Sequence, residues 1–181
     1  MRWIIRMCLA ALLCAALTPA ASATGLAGVD VMTSTVMQEG QSSFSGLALR
    51  MRVVSPLLIQ GVELLPTVEY WRNSNTVDPF GIRTTRKDAT LGADIRYAFR
   101  STGTRPYVGA GLALHFLASS VDAPSLGLND ESHALVKGGL SLLGGLAFPL
   151  TSRFENFVEL KYHHVPDYRQ LKLNWGLSIN L

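Results

Sequence analysis

The chain has few charged residues for its length. Charged residues make up 16% of its 181 positions, hydrophobic residues make up 48%, and the mean hydropathy is +0.24. A charged fraction well below the roughly 25% of soluble domains, with this hydropathy, excludes an intrinsically disordered chain. No run of Lys or Arg accompanies the net charge of +3, so the basic stripe of a nucleic-acid-binding protein is missing. The length is that of a single domain.

The chain begins with the features of a secretory signal. Arg2 and Arg6 precede a short apolar stretch at residues 8–17, and a small-x-small sequence typical of signal-peptidase sites ends at Ala23. This stretch is shorter than the about 20 residues of a transmembrane helix. We therefore predict that residues 1–23 are a cleaved secretory signal peptide.

Cleavage after Ala23 removes both cysteines, Cys8 and Cys14. The predicted mature chain then has no disulfide, no thiol nucleophile and no thiolate metal site. Cleavage also removes two arginines and no acidic residue, which leaves 14 basic and 13 acidic groups and a net charge of +1. The basic character of the full sequence thus comes mostly from the signal.

The mature chain also lacks long hydrophobic runs. No stretch of 18 apolar residues follows the signal, which argues against a transmembrane helix. Apolar and polar residues instead alternate with period two, the pattern of a β-strand. The pattern is clearest from Leu171 to Leu181, where every second residue is apolar.

This alternation predicts eight strands, near residues 29–38, 44–54, 59–72, 88–99, 106–118, 132–148, 154–164 and 171–181. The first strand has the weakest pattern. We expect a bulge or distortion at Pro66, because proline removes a hydrogen-bond donor from the ladder. Short turns alternate with longer polar connections, of which 73–87 and 119–131 are the longest. An even strand number with connections of alternating length is typical of outer-membrane barrels.

An eight-stranded barrel can turn either face inwards, as a soluble lipocalin-like barrel or as a membrane barrel. The apolar face of the predicted strands carries no charge, whereas the other face carries a nearly balanced set. A sealed interior needs this balance, because an unpaired buried charge is costly. We therefore predict an interior ion-pair network of Arg50, Arg52, Glu63, Glu69, Asp94, Arg96, Lys137, Glu159, Lys161 and Lys172.

Aromatic residues cluster near the predicted strand ends. Twelve Phe, Tyr and Trp residues of the mature chain lie within about three residues of an end, whereas Trp175 lies in a strand middle. Membrane barrels carry such aromatic girdles at both interfaces with water. We predict an all-β fold for residues 24–181, an eight-stranded antiparallel up-and-down transmembrane β-barrel with its apolar face in lipid.

Three segments carry a resemblance to a known family. Residues 105–112 read RPYVGAGL, and residues 159–163 read ELKYH in the penultimate strand. The C-terminal segment resembles the assembly signal of outer-membrane barrels, although it ends in Leu where those families usually have Phe; its apolar positions are Trp175, Leu177, Ile179 and Leu181. In order and spacing, these motifs resemble the small outer-membrane β-barrel family of the OmpA transmembrane domain, OmpX and the opacity proteins.

The resemblance implies a location in the bacterial outer membrane and a set of partners. These are outer-membrane lipid and lipopolysaccharide, with periplasmic chaperones and the barrel-assembly machinery during biogenesis. We expect a monomer that binds no nucleic acid.

Few residues of the sequence suggest catalysis or metal binding. His163 and His164 are adjacent, so they point to opposite faces of a strand and cannot bind one metal ion together. His115 and His133 stand alone in the sequence. We expect no catalytic residue, no metal site and no cofactor.

Two alternative functions remain open. A lipid A deacylase would need a serine beside a late-strand histidine, but the nearest ones, Ser152 and Ser178, lie at the opposite end of the predicted barrel. A narrow channel for small hydrophobic solutes would need a side opening. We therefore predict an integral outer-membrane protein with a structural or surface-interaction role and an interior plugged by polar side chains.

A candidate interaction surface lies in the predicted loop 73–87. It carries Arg83, Arg86 and Lys87 against Asp78, an excess of positive charge suited to anionic lipopolysaccharide.

Overall fold

The computed structural model describes residues 25–38, 42–77, 82–99, 103–123, 128–166 and 168–181. The predicted signal peptide lies outside the described residues. The eight strands are β1 Gly25–Gln38, β2 Phe44–Val54, β3 Val62–Val77, β4 Ile82–Ala98, β5 Arg105–Ala123, β6 Leu128–Pro149, β7 Phe154–Val165 and β8 Tyr168–Asn180. Within these ranges, no helix is long and apolar enough to cross a membrane.

The strands form one closed barrel. Each strand pairs antiparallel with the next in the chain, and β1 closes the ring by pairing with β8 through contacts such as Val29↔Ile179. The predicted fold, an eight-stranded up-and-down barrel, is confirmed. Because the barrel is closed, each strand has a hydrogen-bonded neighbour on both sides along much of its length. In an open sheet, the two edge strands lack a neighbour on one side.

The barrel has two different ends. At the turn end, residues 55–61, 99–104 and 150–153 connect strands, close to both ends of the described chain. Gly61 has a φ of 92°, which glycine adopts without strain, and its carbonyl accepts a hydrogen bond from the Ala98 amide at 2.8 Å. We call the other end, where residues 39–43, 78–81, 124–127 and 166–167 connect strands, the hairpin end.

At the hairpin end, two hairpins extend beyond the neighbouring strands. The β3–β4 ladder continues to Val77↔Ile82, and the β5–β6 ladder to Ala123↔Leu128. The prediction that residues 73–87 and 119–131 are long polar connections was therefore wrong, because most of both segments belongs to strands. Both sides of these segments are largely polar, so they lack the apolar alternation by which a strand is recognised, although their backbones remain paired.

Pro66 interrupts one ladder without changing its register. On the β4 side, Pro66 pairs with Ala93 in an unbroken series. On the β2 side, the pairs pass from Arg50↔Thr67 to Val53↔Leu64, with the register kept and the positions between them unpaired. The expected distortion is thus a gap in the β2–β3 ladder and not a bulge, because a bulge would shift the register.

Most charged side chains of the strands face the interior of the barrel and most apolar side chains face outwards, as the balanced charges of the sequence had indicated. Inward-facing charged side chains such as Arg50, Asp94 and Glu159 are buried, whereas outward-facing Leu47 and Leu142 are 69% and 63% exposed. The weak alternation of β1 also has an explanation. Met32 and Val36, which broke its apolar pattern, point inwards and pack in the interior.

Two inward-facing glycines give space to a neighbouring side chain. A Cβ atom at Gly111 would lie 2.2 Å from Oδ1 of Asp94, and one at Gly145 would lie 2.6 Å from the hydroxyl of Tyr107. Both distances are too short for a Cβ atom. Glycine at these two positions therefore lets the side chains of Asp94 and Tyr107 pack directly against the backbone of the neighbouring strand.

Candidate functional site

The centre of the lumen is occupied by an arginine between two carboxylates. Arg50 of β2 donates from Nε to Asp30 Oδ2 at 2.8 Å and from Nη1 to Glu159 Oε2 at 2.7 Å. Its guanidinium lies 5.0 Å from the ring centroid of Phe157. Arg50 therefore links β1, β2 and β7 across the interior, in the two-carboxylate geometry for which a planar guanidinium is suited.

Both carboxylates receive further hydrogen bonds. Glu159 accepts from the Tyr107 hydroxyl at 3.2 Å and from Asn174 Nδ2 at 2.9 Å. Asp30 accepts from the Ser178 hydroxyl and forms an ion pair with Arg52 at 3.1 Å. These donors satisfy carboxylate oxygens that would otherwise be buried at high cost.

Towards the turn end, a second group of charges surrounds Glu63. Arg96 donates to Glu63 from Nε at 2.9 Å, and Arg52 Nη1 lies 3.9 Å from the same carboxylate. The Arg96 guanidinium also stacks over the ring of Tyr107 at 4.6 Å. Arg105 and Glu155 form an ion pair that the sequence had not suggested, because it lies at strand ends where alternation is weak.

Towards the hairpin end, two lysines each hold one carboxylate. Lys161 Nζ lies 2.6 Å from Asp94 Oδ2, and the Ser141 hydroxyl donates to the same carboxylate. Lys172 Nζ donates to Glu69 Oε1 at 2.8 Å. Both lysines are buried.

Nine of the ten residues assigned to the interior network thus form ion pairs in the lumen. The tenth, Lys137, is half-buried, and one of its contacts is a hydrogen bond that it donates to the backbone carbonyl of Pro166 at 3.3 Å. It lies opposite His115 of β5, beyond the point where the β6–β7 ladder ends.

A buried histidine pair forms a cluster that sequence reasoning missed. The Asp88 carboxylate lies 2.8 Å from Nδ1 of His115, and the Thr90 hydroxyl lies 3.1 Å from the same nitrogen. The ring of His163 meets that of His115 edge to face, with centroids 5.3 Å apart. His115 therefore does not stand alone. Asp88, Thr90 and His115 share inward parity on neighbouring strands, but only the register brings them together.

An apolar cluster lies inside the barrel near the hairpin end. Val36, Phe44 and Trp71 pack together, with the rings of Phe44 and Trp71 4.5 Å apart. Tyr107 and Phe157 are also buried inside the barrel. Four of the residues expected in the aromatic girdles thus point inwards, because position near a strand end does not determine which face a side chain joins. Tyr70, Tyr97, Phe99, Phe148, Phe154 and Tyr162 do lie exposed.

A basic concavity lies next to this cluster, on the inner side of the extended hairpins. It has a volume of about 330 Å³, and its lining includes Trp71, Arg86, Lys87, His133 and Lys137. Arg83 is exposed nearby on β4, whereas Asp78 lies outside the described residues. Three of the four charges assigned to segment 73–87 are therefore placed on β4.

The C-terminal positions share the outer face. Trp175, Leu177 and Leu181 are exposed, and Ile179 is partly exposed on the same side. Across the described ranges, no group of three or more His, Cys, Asp or Glu side chains is arranged to hold a metal ion.

Comparison with known proteins yields structural similarity alone. No family model matches the chain, and no curated protein matches it. The structure of Neisserial surface protein A is similar with a TM-score of 0.59 and 20% identity, over 87% of this chain and 99% of that chain. Ail of Yersinia pestis, in complex with the heparin analogue sucrose octasulfate, is similar with a TM-score of 0.60 and 14% identity, over 88% and 99%.

A major outer membrane protein from Thermus thermophilus is similar with a TM-score of 0.67 and 12% identity, over 86% of this chain and 99% of that chain. At these identities the similarity shows a common fold. The chain has the fold of small outer-membrane β-barrels, as the motifs near residues 105–112 and 159–163 had indicated.

Proposed function

We propose that this chain is an integral protein of the bacterial outer membrane with a structural or surface-interaction role. In this proposal, a signal peptide cleaved after Ala23 exports it, and the apolar outer face of the barrel contacts lipid.

The outer face is the observation that carries this proposal. Leu47, Leu112 and Leu142 are 69%, 65% and 63% exposed, while the charged side chains of the same strands are buried inside. Soluble monomers rarely expose a contiguous apolar surface larger than a few hundred Å². A bilayer favours both an apolar exterior and a closed barrel that satisfies its own backbone.

Membrane fractionation with a heat-modifiability gel tests this location. We expect the protein in the outer-membrane fraction, with a folded band that shifts in mobility on boiling. N-terminal sequencing of the same band should begin at Thr24. A soluble periplasmic protein whose band does not shift on boiling would contradict the proposal.

We further propose that polar side chains plug the interior. The supporting geometry is the succession of buried ion pairs around Glu63, Arg50 and Asp94, covered at one end by Phe44 and Trp71. Eight strands enclose a lumen that side chains are able to fill.

The geometry of the buried histidine favours a non-enzymatic role. In a hydrolase triad, the carboxylate and the nucleophile occupy opposite nitrogens of the imidazole ring. Here Asp88 and Thr90 both approach Nδ1 of His115. The Ser141 and Ser178 hydroxyls donate to carboxylates, so they act as bracing groups in the network.

For the surface role, we propose binding of an anionic saccharide in the basic concavity. The lining of this site includes Arg86, which shares the inward parity of Asp88 and Thr90, together with His133 on β6. The similar barrel of Ail is known in complex with a heparin analogue, which supports the same ligand class here.

Titration with sucrose octasulfate tests this role. We expect Arg86→Gln to weaken binding by roughly tenfold and to reduce its salt dependence, because one charge-assisted contact is removed. Arg153→Gln, an exposed arginine at the turn end, is the matched control and should bind like the wild type. Equal affinity of all three proteins would contradict saccharide binding in the concavity.

The remaining partners follow from the proposed location. Trp175, Leu177, Ile179 and Leu181 would be recognised by the barrel-assembly machinery after delivery by periplasmic chaperones. Lipopolysaccharide would surround the hairpin end of a monomeric barrel. Replacing Trp175 and Leu177 together by Asn should then slow assembly in reconstituted machinery more than the same change at Leu171 and Leu173.

A further inference from the structure

The wall of the barrel has a gap between β6 and β7 near the hairpin end. The β6–β7 ladder ends at Leu140↔His164, whereas β6 continues along β5 to Leu128. Gly138 and Gly139 therefore lie beside the short β7–β8 connection, without a ladder partner on that side. Lys137 reaches across to donate to the Pro166 carbonyl at 3.3 Å. Where backbone pairing stops, this side-chain hydrogen bond spans the gap.

An apolar groove lies on the outer wall beside this gap. Its volume is about 660 Å³, within the roughly 300–1,000 Å³ of small-molecule sites. The exposed side chains of Leu112, Leu114 and Leu140 form its sides, and Gly138 leaves its upper part open. The lining is apolar apart from His164 at its edge.

A histidine lies at the edge of the groove, and an arginine lies one strand beyond it. His164 is exposed on the outer face of β7, and its cross-strand partner on β8 is the exposed Arg169. The next outward residue of β7, towards the middle of the barrel, is Tyr162, which is also exposed. An aromatic ring with an arginine beyond it is the order expected at the boundary between the acyl chains and the headgroups of a bilayer. Guanidinium groups bind phosphate in a bidentate geometry.

We propose that this groove binds one acyl chain of lipopolysaccharide, with Arg169 and His164 on a phosphate of its lipid A. This inference rests on the proposed outer-membrane location, since extended hairpins lie on the outer side of such barrels. Charge complementarity selects the occupant, because an apolar groove with an arginine beyond its edge fits an amphiphile with an anionic head.

Filling the groove tests the acyl-chain half of the proposal. A Cβ atom at Gly138 would meet nothing within 4 Å, so Gly138→Leu adds a side chain without a steric clash. Gly144→Leu is the matched control on the outer face of the same strand, where a Cβ atom would meet only the Tyr107 carbonyl at 3.8 Å. Both variants add the same apolar side chain to a lipid-facing surface.

The measurement is native mass spectrometry of purified barrels in phosphatidylcholine nanodiscs titrated with bisphosphorylated lipid A. We expect one retained lipid A for the wild type and for Gly144→Leu, and a roughly tenfold loss of retention for Gly138→Leu, because the chain contacts are blocked. Equal retention by the two leucine variants, or none by the wild type, would overturn the proposal.

The headgroup half is tested with Arg169→Gln and two further lipids. Arg169→Gln should weaken retention of bisphosphorylated lipid A and leave dephosphorylated lipid A unchanged. Phosphatidylglycerol should be retained less than lipid A, and equal retention would contradict the assignment to lipopolysaccharide. Absence of the protein from the outer membrane would refute the proposed function itself. If the protein is a folded outer-membrane barrel but Gly138→Leu retains lipid A like the wild type, only lipid A binding in the groove is refuted.

Discussion

Arg50 and Glu159 meet across the barrel, with Nη1 2.7 Å from Oε2, although they are 109 positions apart in the sequence. Both side chains are buried, and Asp30 completes the pairing of the arginine. This contact joins the second strand to the seventh through the interior, where no backbone ladder connects them. This ion pair is therefore the central contact of the charged network in the lumen.

Breaking this pair should destabilise the folded barrel. Glu159→Gln leaves Arg50 with a reduced negative partner, and Arg50→Met leaves two carboxylates facing each other. Removing one member of a buried pair typically costs about 3–5 kcal/mol. Urea unfolding in phospholipid vesicles, followed by tryptophan fluorescence, measures the change.

Arg153→Gln, at an exposed position, provides the control and should change stability by less than about 0.5 kcal/mol. A loss at Glu159 no larger than this control would mean that the central ion pair contributes little to the fold.

A charge on the outer face should be costly at mid-height and tolerated at the turn end. Leu142→Arg places a guanidinium among lipid-facing leucines, at an expected cost of roughly 2–4 kcal/mol in a bilayer. Leu57→Arg is the matched change in the 55–61 turn, where Leu57 is 93% exposed, and it should cost about 0–1 kcal/mol. Unfolding in vesicles compares the two, and equal tolerance would argue against lipid at Leu142.

The Asp88 carboxylate, which lies beside the buried His115, should stabilise the folded barrel. Asp88→Asn replaces a charged partner of His115 Nδ1 by a neutral amide, with an expected loss of roughly 1–3 kcal/mol. His133→Asn, at an exposed position on β6, serves as the comparison and should be nearly neutral. If unfolding midpoints of the two variants coincide, Asp88 has no stabilising role.

The proposed plug predicts a low conductance. Wild-type protein in planar bilayers should show no large, steady, porin-size channels if the ion pairs around Arg50 and Asp94 block the lumen. Replacing Arg50, Glu159 and Lys161 together by alanine should raise the frequency of small channel openings. Steady porin-size steps from the wild-type protein would refute the plug.

The sequence predicts the ring of strands far better than the contacts inside it. The alternation from Leu171 to Leu181 identified β8 and its lipid-facing side. It could do so because the alternation of side chains along a strand depends only on neighbouring residues in the sequence. The hairpin extensions were missed, since segments 73–77 and 82–87 are mostly polar in sequence and no apolar period marks them. The pairing of Asp88 with His115 was missed for another reason, because it depends on the register between β4 and β5.

The two tryptophans of the predicted mature chain allow the most direct test of which face meets lipid. Trp175 is 58% exposed on the outer face of β8, whereas Trp71 is 2% exposed inside the barrel. Single-tryptophan variants, Trp71→Phe and Trp175→Phe, are folded into vesicles whose acyl chains carry bromine, and fluorescence quenching is measured. If the apolar outer face contacts lipid, brominated lipid quenches Trp175 strongly and Trp71 weakly. Quenching of Trp175 by aqueous iodide instead of by brominated lipid would contradict a lipid-facing outer surface.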